Sequence, residues 1–331
     1  MFSLLCSLAF SKKWAVLYIG SNTYSNYRHH SNVDTVFTLL QERGFDTKNI
    51  ILCQYNDIPN AASNPFKGQI FHSIEHKNVY PGASYITYSG AQVTAQKFYD
   101  ILSGNDALKS TAEDDVYIYY DNHGGPGILG VPSGNGDYIK EPELVEALAQ
   151  LEAKNMYRKA FFMIGACYSQ SMIKNIKNKN LAIITSANDH ESAYACNYDS
   201  SVGAYLTNYF NLNFDKLARE NPTITLGELF ETLKKVITTS ETCWGGDESM
   251  KSELLSTFIG EANNNRPQIL SSKQPCDAAA PLVRRSAPSP RSTSTRRSAR
   301  KSLRRTGGST PWPSASRAAR AHRRSRGSTS S

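Results

Sequence analysis

Five short apolar runs punctuate the chain: WAVLYIG at 14–20, IILCQY at 50–55, DVYIYY at 115–120, AFFMIG at 160–165 and LAIIT at 181–185. Each is rich in β-branched or aromatic residues and too short for an independent helix. Runs that are apolar on both faces suit central strands covered on both sides. Helical periodicity lies between them. Residues 33–43 (VDTVFTLLQER) set Val36, Phe37 and Leu40 on one face and end at Gly44, a residue suited to a helix C-terminus. Residues 142–151 and 226–237 carry similar patterns. Strands alternating with helices predict an α/β fold around a mostly parallel sheet. No internal repeat is visible.

In such sheets chemistry gathers past the C-terminal ends of the strands. Three loops leave three of the runs directly: SNTYSNYRHHSN at 21–32, DNHGGPG at 121–127 and ACYSQS at 166–171. They bring an Asn/Arg/His loop, a His-Gly-Gly turn and a lone cysteine to one sheet edge. Cys167, where its strand breaks, is the candidate nucleophile, and His123, in the same position on its own strand, the candidate base. The amides of Gly124 and Cys167 are candidates for an oxyanion site. Singly these signals are weak, because a lone strand-end cysteine is more often a small buried hydrophobe. The paired placement points to an enzyme.

Charge changes the picture less than its total suggests. The 331 residues carry a formal net charge of +8. Residues 277–331 hold 14 of the 37 Lys and Arg beside one acidic residue, so the remainder is net acidic. Nucleic-acid binding is therefore not inferred from charge. That tail, otherwise Ser, Ala, Pro, Thr and Gly, has too little apolar surface to offset its chain entropy and reads as a disordered segment from residue 266 onward. A solvated spacer, or a break in reading frame, outweighs contact with anionic surfaces as its meaning. Residues 1–11 read as a short secretory signal, with Ala9 and Ser11 at cleavage spacing and no basic n-region. The body of the chain would then span 12–265. No apolar run reaches the ~18 residues of a membrane-spanning helix. Six irregularly spaced cysteines, without a CxxC pair, suggest one reactive thiol among mostly free buried ones. No metal or other cofactor is expected.

An ordered set of blocks between residues 14 and 262 resembles the legumain, or asparaginyl endopeptidase, family. They include SNYRHHSN at 25–32, QYNDIP at 54–59, YSGAQVTAQKF at 88–98, HGGPGILGVP at 123–132, MYRKAFFMIGAC at 156–167, TSANDHESAYAC at 185–196 and CWGGD at 243–247. The resemblance implies a caspase-like three-layer α/β sandwich and a Cys167–His123 dyad. It implies that Asn26 orients His123, that Arg28 forms the base of the specificity pocket with His29 beside it, and that Ser192 falls on the pocket wall. The implied activity is hydrolysis of protein or peptide substrates after Asn or Asp, through a thioester acyl-enzyme. The implied setting is the secretory pathway, a lysosome-like or vacuolar compartment, or the exterior. A transamidase or ligase with the same dyad, and an inactive pseudopeptidase, are the alternatives.

The chain departs from the family at four positions. Gly165 stands where a Glu is usual, Asn208 where a pocket Asp is usual, Tyr168 where an acid often follows the nucleophile, and Asn122 where Asp often precedes the histidine. The helical C-terminal prodomain of many legumains is replaced by the Arg/Ser tail. With both pocket acids gone, Arg28 would be left less compensated and the pocket would favour a carboxylate over a carboxamide. For the tail, deletion of residues 277–331 is expected to leave the melting temperature within about 2 °C of the full chain, because it lacks core-forming residues. Differential scanning fluorimetry of the two chains checks this, and a large fall would mean that the tail packs.

Overall fold

The computed structural model describes residues 11–262. The signal assigned to 1–11, apart from Ser11, and the tail assigned to 266–331 lie outside these residues. The apolar runs become the strands of a seven-stranded sheet. In chain order the elements are β1 (Lys13–Ile19), α1 (Tyr27–Glu42), β2 (Ile50–Gln54), β3 (Tyr88–Ser89), α2 (Ala95–Leu102), β4 (Asp115–Asp121), the short β5 (Gly124–Gly125), β6 (Ile128–Leu129) and β7 (Ile139–Lys140), and α3 (Glu141–Ala153). Then follow β8 (Lys159–Gly165), β9 (Leu181–Thr185), β10 (Ala195–Asp199), β11 (Ala204–Asn208), α4 (Tyr209–Glu220), α5 (Leu226–Val236), β12 (Cys243–Gly246) and α6 (Ser256–Ile259).

The sheet order is β12-β9-β8-β4-β1-β2-β3. All neighbours are parallel except β12, which closes one edge antiparallel to β9. Strand alternation divides the core. Trp14, Val16 and Tyr18 of β1 face one cluster with α2 and α3; Ala15, Leu17 and Ile19 face the other, with α1, α4 and α5. A three-layer sandwich results, with a mostly parallel sheet in the middle. The hairpin β10–β11 stands apart from the main sheet and packs against α1.

Three elements differ from the sequence expectation. Residues 27–32, expected in a loop, form the first turns of α1. Their side chains are polar yet mostly buried, including His29, His30, Ser31 and Asn32, so no apolar period marks them as helix. Helix α1 does end before Gly44, which adopts φ 77°. The eight-residue α2 is capped by Thr94, whose hydroxyl accepts from the Lys97 amide at 3.1 Å. Helix α4 is capped by Asn208, whose side chain accepts from the Asn211 amide at 2.7 Å. Both caps are visible in sequence only once the boundary is known. Cys53, Cys167 and Cys243 are free thiols and Cys196 is disulfide-bonded, so the cysteines among the described residues are mostly free, as expected.

Phe98 of α2 is fully buried and lies 4.7 Å from the Tyr18 ring, centroid to centroid, with Tyr120 and Phe162 around it. It joins α2 to three adjacent strands. Phe98→Ala is expected to lower the unfolding free energy by about 3–5 kcal/mol, the usual cost of an aromatic truncation in a packed core. Urea titration of the two chains measures it.

Candidate functional site

Parallel register sets the geometry. Ile19 pairs with Asp121 across β1–β4, and Asp121 pairs with Gly165 across β4–β8. Three strands therefore end in one row, and the polypeptide leaves that row as the approach to α1, the His123 turn and the Cys167 turn.

The Cys167 turn is held from below. Ser186, just beyond β9, accepts the Ala166 amide with its hydroxyl and donates to the Ala166 carbonyl, both at 2.9 Å. Tyr168 takes the left-handed conformation (φ 55°), and its amide donates to the Glu191 carbonyl at 2.8 Å. The Sγ of Cys167 is half-buried, 3.7 Å from the Ala193 carbonyl. Among the described residues, the Cys167 amide N–H is used by no hydrogen bond, leaving it free for a substrate oxygen.

Gly124 lies against that turn. A Cβ there would stand 2.4 Å from the Cys167 carbonyl oxygen and 3.1 Å from the Ala166 Cβ. Only glycine lets the two turns approach so closely. Beside it, the Nε2–H of His123 donates to Asn26 Oδ1 at 2.8 Å, and Asn26 Nδ2 donates to the Asn22 carbonyl at 2.7 Å. The ring is held by Nε2, so Nδ1 is the nitrogen left for a proton from elsewhere. The His123 side chain is exposed, yet desolvation by its surroundings, and then the Arg28 cation, lower its imidazole to about 4. It is uncharged at neutral pH.

Arg28, His29, His123, Gly165, Cys167 and Asn208 line one small pocket. Residues 193–195 complete its wall; Ser192 precedes them and does not line it. A larger cleft of about 720 Å³ between α2 and α3 contains none of the candidate residues. His72 and His76, spaced four apart, pair in different directions, with Thr207 at 2.8 Å and with Asp199 at 2.6 Å.

Among the described residues no acid lines the pocket, as Gly165 and Asn208 led us to expect, but Asp121 stands directly behind it. A Cβ on Gly165 would sit 2.4 Å from Asp121 Oδ2, so this carboxyl group occupies the space where a side chain at 165 would begin. It is fully buried. Its Oδ2 accepts from the Tyr119 hydroxyl at 2.8 Å and from the amides of Asn32 and Asn208, each at 3.1 Å. Its Oδ1 meets His29 Nδ1 at 2.5 Å. The Arg28 guanidinium makes no hydrogen bond or ion pair among the described residues, and Asp121 is the largest of the acids acting on its charge. Asn208, which stands where a pocket Asp is usual in the family, has both ends of its carboxamide engaged, by Asp121 and by the Asn211 amide. Arg28 is thus not uncompensated. Sequence reasoning missed Asp121, Asn22 and Asn32. The usable signal was a pair of changes in one register, a side chain absent at 165 and a carboxylate present at 121, and it required the strand pairing.

Gly124→Ala is expected to slow alkylation of Cys167 by iodoacetamide about tenfold, because the added methyl must push the His123 turn from the thiol. Labelling rates read by mass spectrometry decide; an unchanged rate would mean that the contact between the turns is dispensable.

Residues 13–261 match the Peptidase C13 family. The chain is 32% identical over 278 residues to the vacuolar-processing enzyme delta-isozyme of Arabidopsis thaliana, covering 76% of this chain and 59% of that protein. It is 30% identical over 262 residues to legumain of Mus musculus (75% and 59%) and 32% identical over 266 residues to hemoglobinase of Schistosoma mansoni (77% and 61%). The chain spans about three-fifths of the length of these relatives. Among solved structures, caspase-1 of Spodoptera frugiperda superposes with a TM-score of 0.47 at 10% identity, covering 78% of this chain and 93% of that one. With a family match across most of its length and relatives at this identity, the chain belongs to the Peptidase C13 family.

Proposed function

We propose that this chain is a cysteine endopeptidase that cleaves protein or peptide substrates after Asn or Asp. The observation that carries the proposal is the joint placement of Cys167, of His123 held by Asn26, and of Arg28 around one pocket. Arg28 receives the side-chain oxygen of the residue before the scissile bond. The Cys167 sulfur attacks the carbonyl carbon, its proton passes to His123, and the amides of Cys167 and Gly124 stabilise the oxyanion. Collapse releases the amine, which takes the proton from His123, and leaves a thioester. Water, deprotonated by His123, then hydrolyses the thioester and restores the thiol. Relatives named for vacuolar processing support a place in the endomembrane system.

Cys167→Ala and His123→Ala are each expected to lower turnover of an Asn-containing peptide by about 10⁴-fold or more, since members of such a unit fail together. Burial raises the Cys243 thiol to about 11 and raises Cys53 as well, so iodoacetamide at neutral pH should label Cys167 first. Normal turnover in Cys167→Ala would overturn the assignment. The acid side of the pH profile follows from His123. Below its lowered pKa the ring is protonated and cannot take the thiol proton, so acylation is expected to persist below pH 6.5 and to fail toward about 4. Single-turnover rates across that range test the sign.

A further inference from the structure

The connection from β1 to α1, which carries Asn26, is held from behind at three successive residues. The fully buried His30 accepts the Gln54 side-chain amide at Nδ1 (3.3 Å), so its hydrogen lies on Nε2, which donates to the Ser21 carbonyl at 3.1 Å. Asn22 grips Ser133 with both ends of its carboxamide, accepting from the Ser133 amide at 3.0 Å and donating to the Ser133 carbonyl at 3.1 Å. Asp57, in the loop after β2, accepts the Thr23 amide on Oδ2 at 2.6 Å, while its Oδ1 is buried without a hydrogen-bond partner among the described residues. We infer that Asp57 is a positioning residue for the dyad: it fixes the peptide group between Asn22 and Thr23, and through that group the Asn26 side chain and the His123 ring. The inference rests on the peptidase reading above.

One peptide unit joins Asp57 to Asn26. Its N–H, from Thr23, points at Asp57; its C=O, from Asn22, accepts from Asn26 Nδ2 at 2.7 Å. The unit is planar and trans, so its N–H and C=O point opposite ways and turn together. Asn26 Oδ1 in turn accepts from His123 Nε2 at 2.8 Å. Every hydrogen in this row points toward the Asp57 carboxylate, and bonds aligned in this way polarise one another. Thr23 is the reason a clamp is needed. It has φ 71° and ψ 148°, a region open to glycine and costly for a β-branched side chain. Turning the Asn22–Thr23 peptide plane over would carry the Thr23 φ to negative values and relieve it. The same turn would take the Asn22 carbonyl from Asn26 and aim it at Asp57. The carboxylate opposes this twice, since it would lose its donor and face a carbonyl oxygen instead.

The clamp stands on a braced loop. Ile58, next to Asp57, is fully buried in a cluster with Tyr27, Ile70 and Phe71. Asn64 Nδ2 lies against the carbonyls of Ile58, Pro59 and Gln69 at 3.2, 3.1 and 3.0 Å, and the Gly68 amide donates to the Pro59 carbonyl at 2.8 Å. The clamped side is lighter. Thr23 and Ser25 are exposed, and their hydroxyls meet each other at 3.1 Å. The Thr23 carbonyl accepts the Asn26 amide at 3.0 Å, so the backbone of Asn26 also follows Thr23. Asp57 does not line the pocket that holds Arg28 and Cys167. Its removal therefore disturbs the orientation of His123 and leaves the substrate side chain its contacts.

The test is a double-mutant cycle on the full chain, read as kcat and KM for an Asn-containing peptide. Asp57→Ala is expected to lower kcat about tenfold or more with KM within about twofold, the pattern of a misdirected base behind an intact pocket. In the Thr23→Gly background the peptide has no strain to relieve, so the same removal should cost less than about threefold. An unchanged kcat in Asp57→Ala, or an equal loss in both backgrounds, overturns the inference. Should Asp57→Ala not fold, Asp57→Asn keeps an acceptor without the charge; its expected loss is about threefold, again removed by Thr23→Gly, and the same two results overturn the inference. If the wild type cleaves no peptide, the peptidase reading fails instead. The inference is then read from a crystal structure of whichever Asp57 variant folds: a turned Asn22–Thr23 peptide upholds it, and an Asn22 carbonyl still facing Asn26 overturns it.

Discussion

The structure turns on the row in which three parallel strands stop together. Because Ile19, Asp121 and Gly165 share one register, whatever follows them must share one small volume. Parallel strands cannot be joined by tight hairpins, so their C-terminal ends are free to carry loops. Here two turns and the first turn of α1 follow those ends and hold a thiol, an imidazole and a guanidinium. Placement to within a hydrogen bond comes from contacts that tolerate no spare atom, such as Gly124 against the Cys167 carbonyl.

The first turns of α1 carry the polar cost of this arrangement. His29, His30, Ser31 and Asn32 are all buried, and a buried polar group must find a partner or destabilise the fold. Asn32 donates to Asp121 and accepts from the Thr207 hydroxyl, which is also within 2.8 Å of His72. The floor of the pocket is thus a connected hydrogen-bond network rather than a hydrophobic layer. Networks of this kind rigidify a site when complete. Loose ends remain: His29 Nε2 and Asn122 Oδ1, both in residues that border the pocket, are buried without a hydrogen-bond partner among the described residues, as is Asn211 Oδ1.

How much of this could be read from the sequence follows from the same physics. Strands with apolar residues on both faces, such as AFFMIG, announce themselves, and β9 begins and ends where LAIIT does. Cys167, His123 and Arg28 were legible because strand ends and family motifs coincide there. The start of α1 was not, since its buried face is polar and mimics a loop. The hairpin β10–β11 was not, because Tyr198 and Tyr205 are exposed and break the usual alternation signal. Ser192 was read one residue short of the wall that residues 193–195 form. Asp121 was in plain view as the first letter of DNHGGPG, but its meaning depends on which residue pairs with it across two strands, and pairing is not written in a local pattern.

The exchange at 121 and 165 is a coupled one. A side chain at 165 cannot be added while Asp121 is present, since its first carbon would fall inside the carboxyl group. Nor can Asp121 be removed alone without leaving Tyr119, Asn32 and Asn208 donors facing a void, each a buried group whose loss of a charged partner costs about 1.5–3 kcal/mol. The two positions therefore constrain each other directly. Placing the acid on β4 rather than β8 keeps Asp121 within electrostatic reach of Arg28 but outside the pocket lining, and that difference arises from register alone.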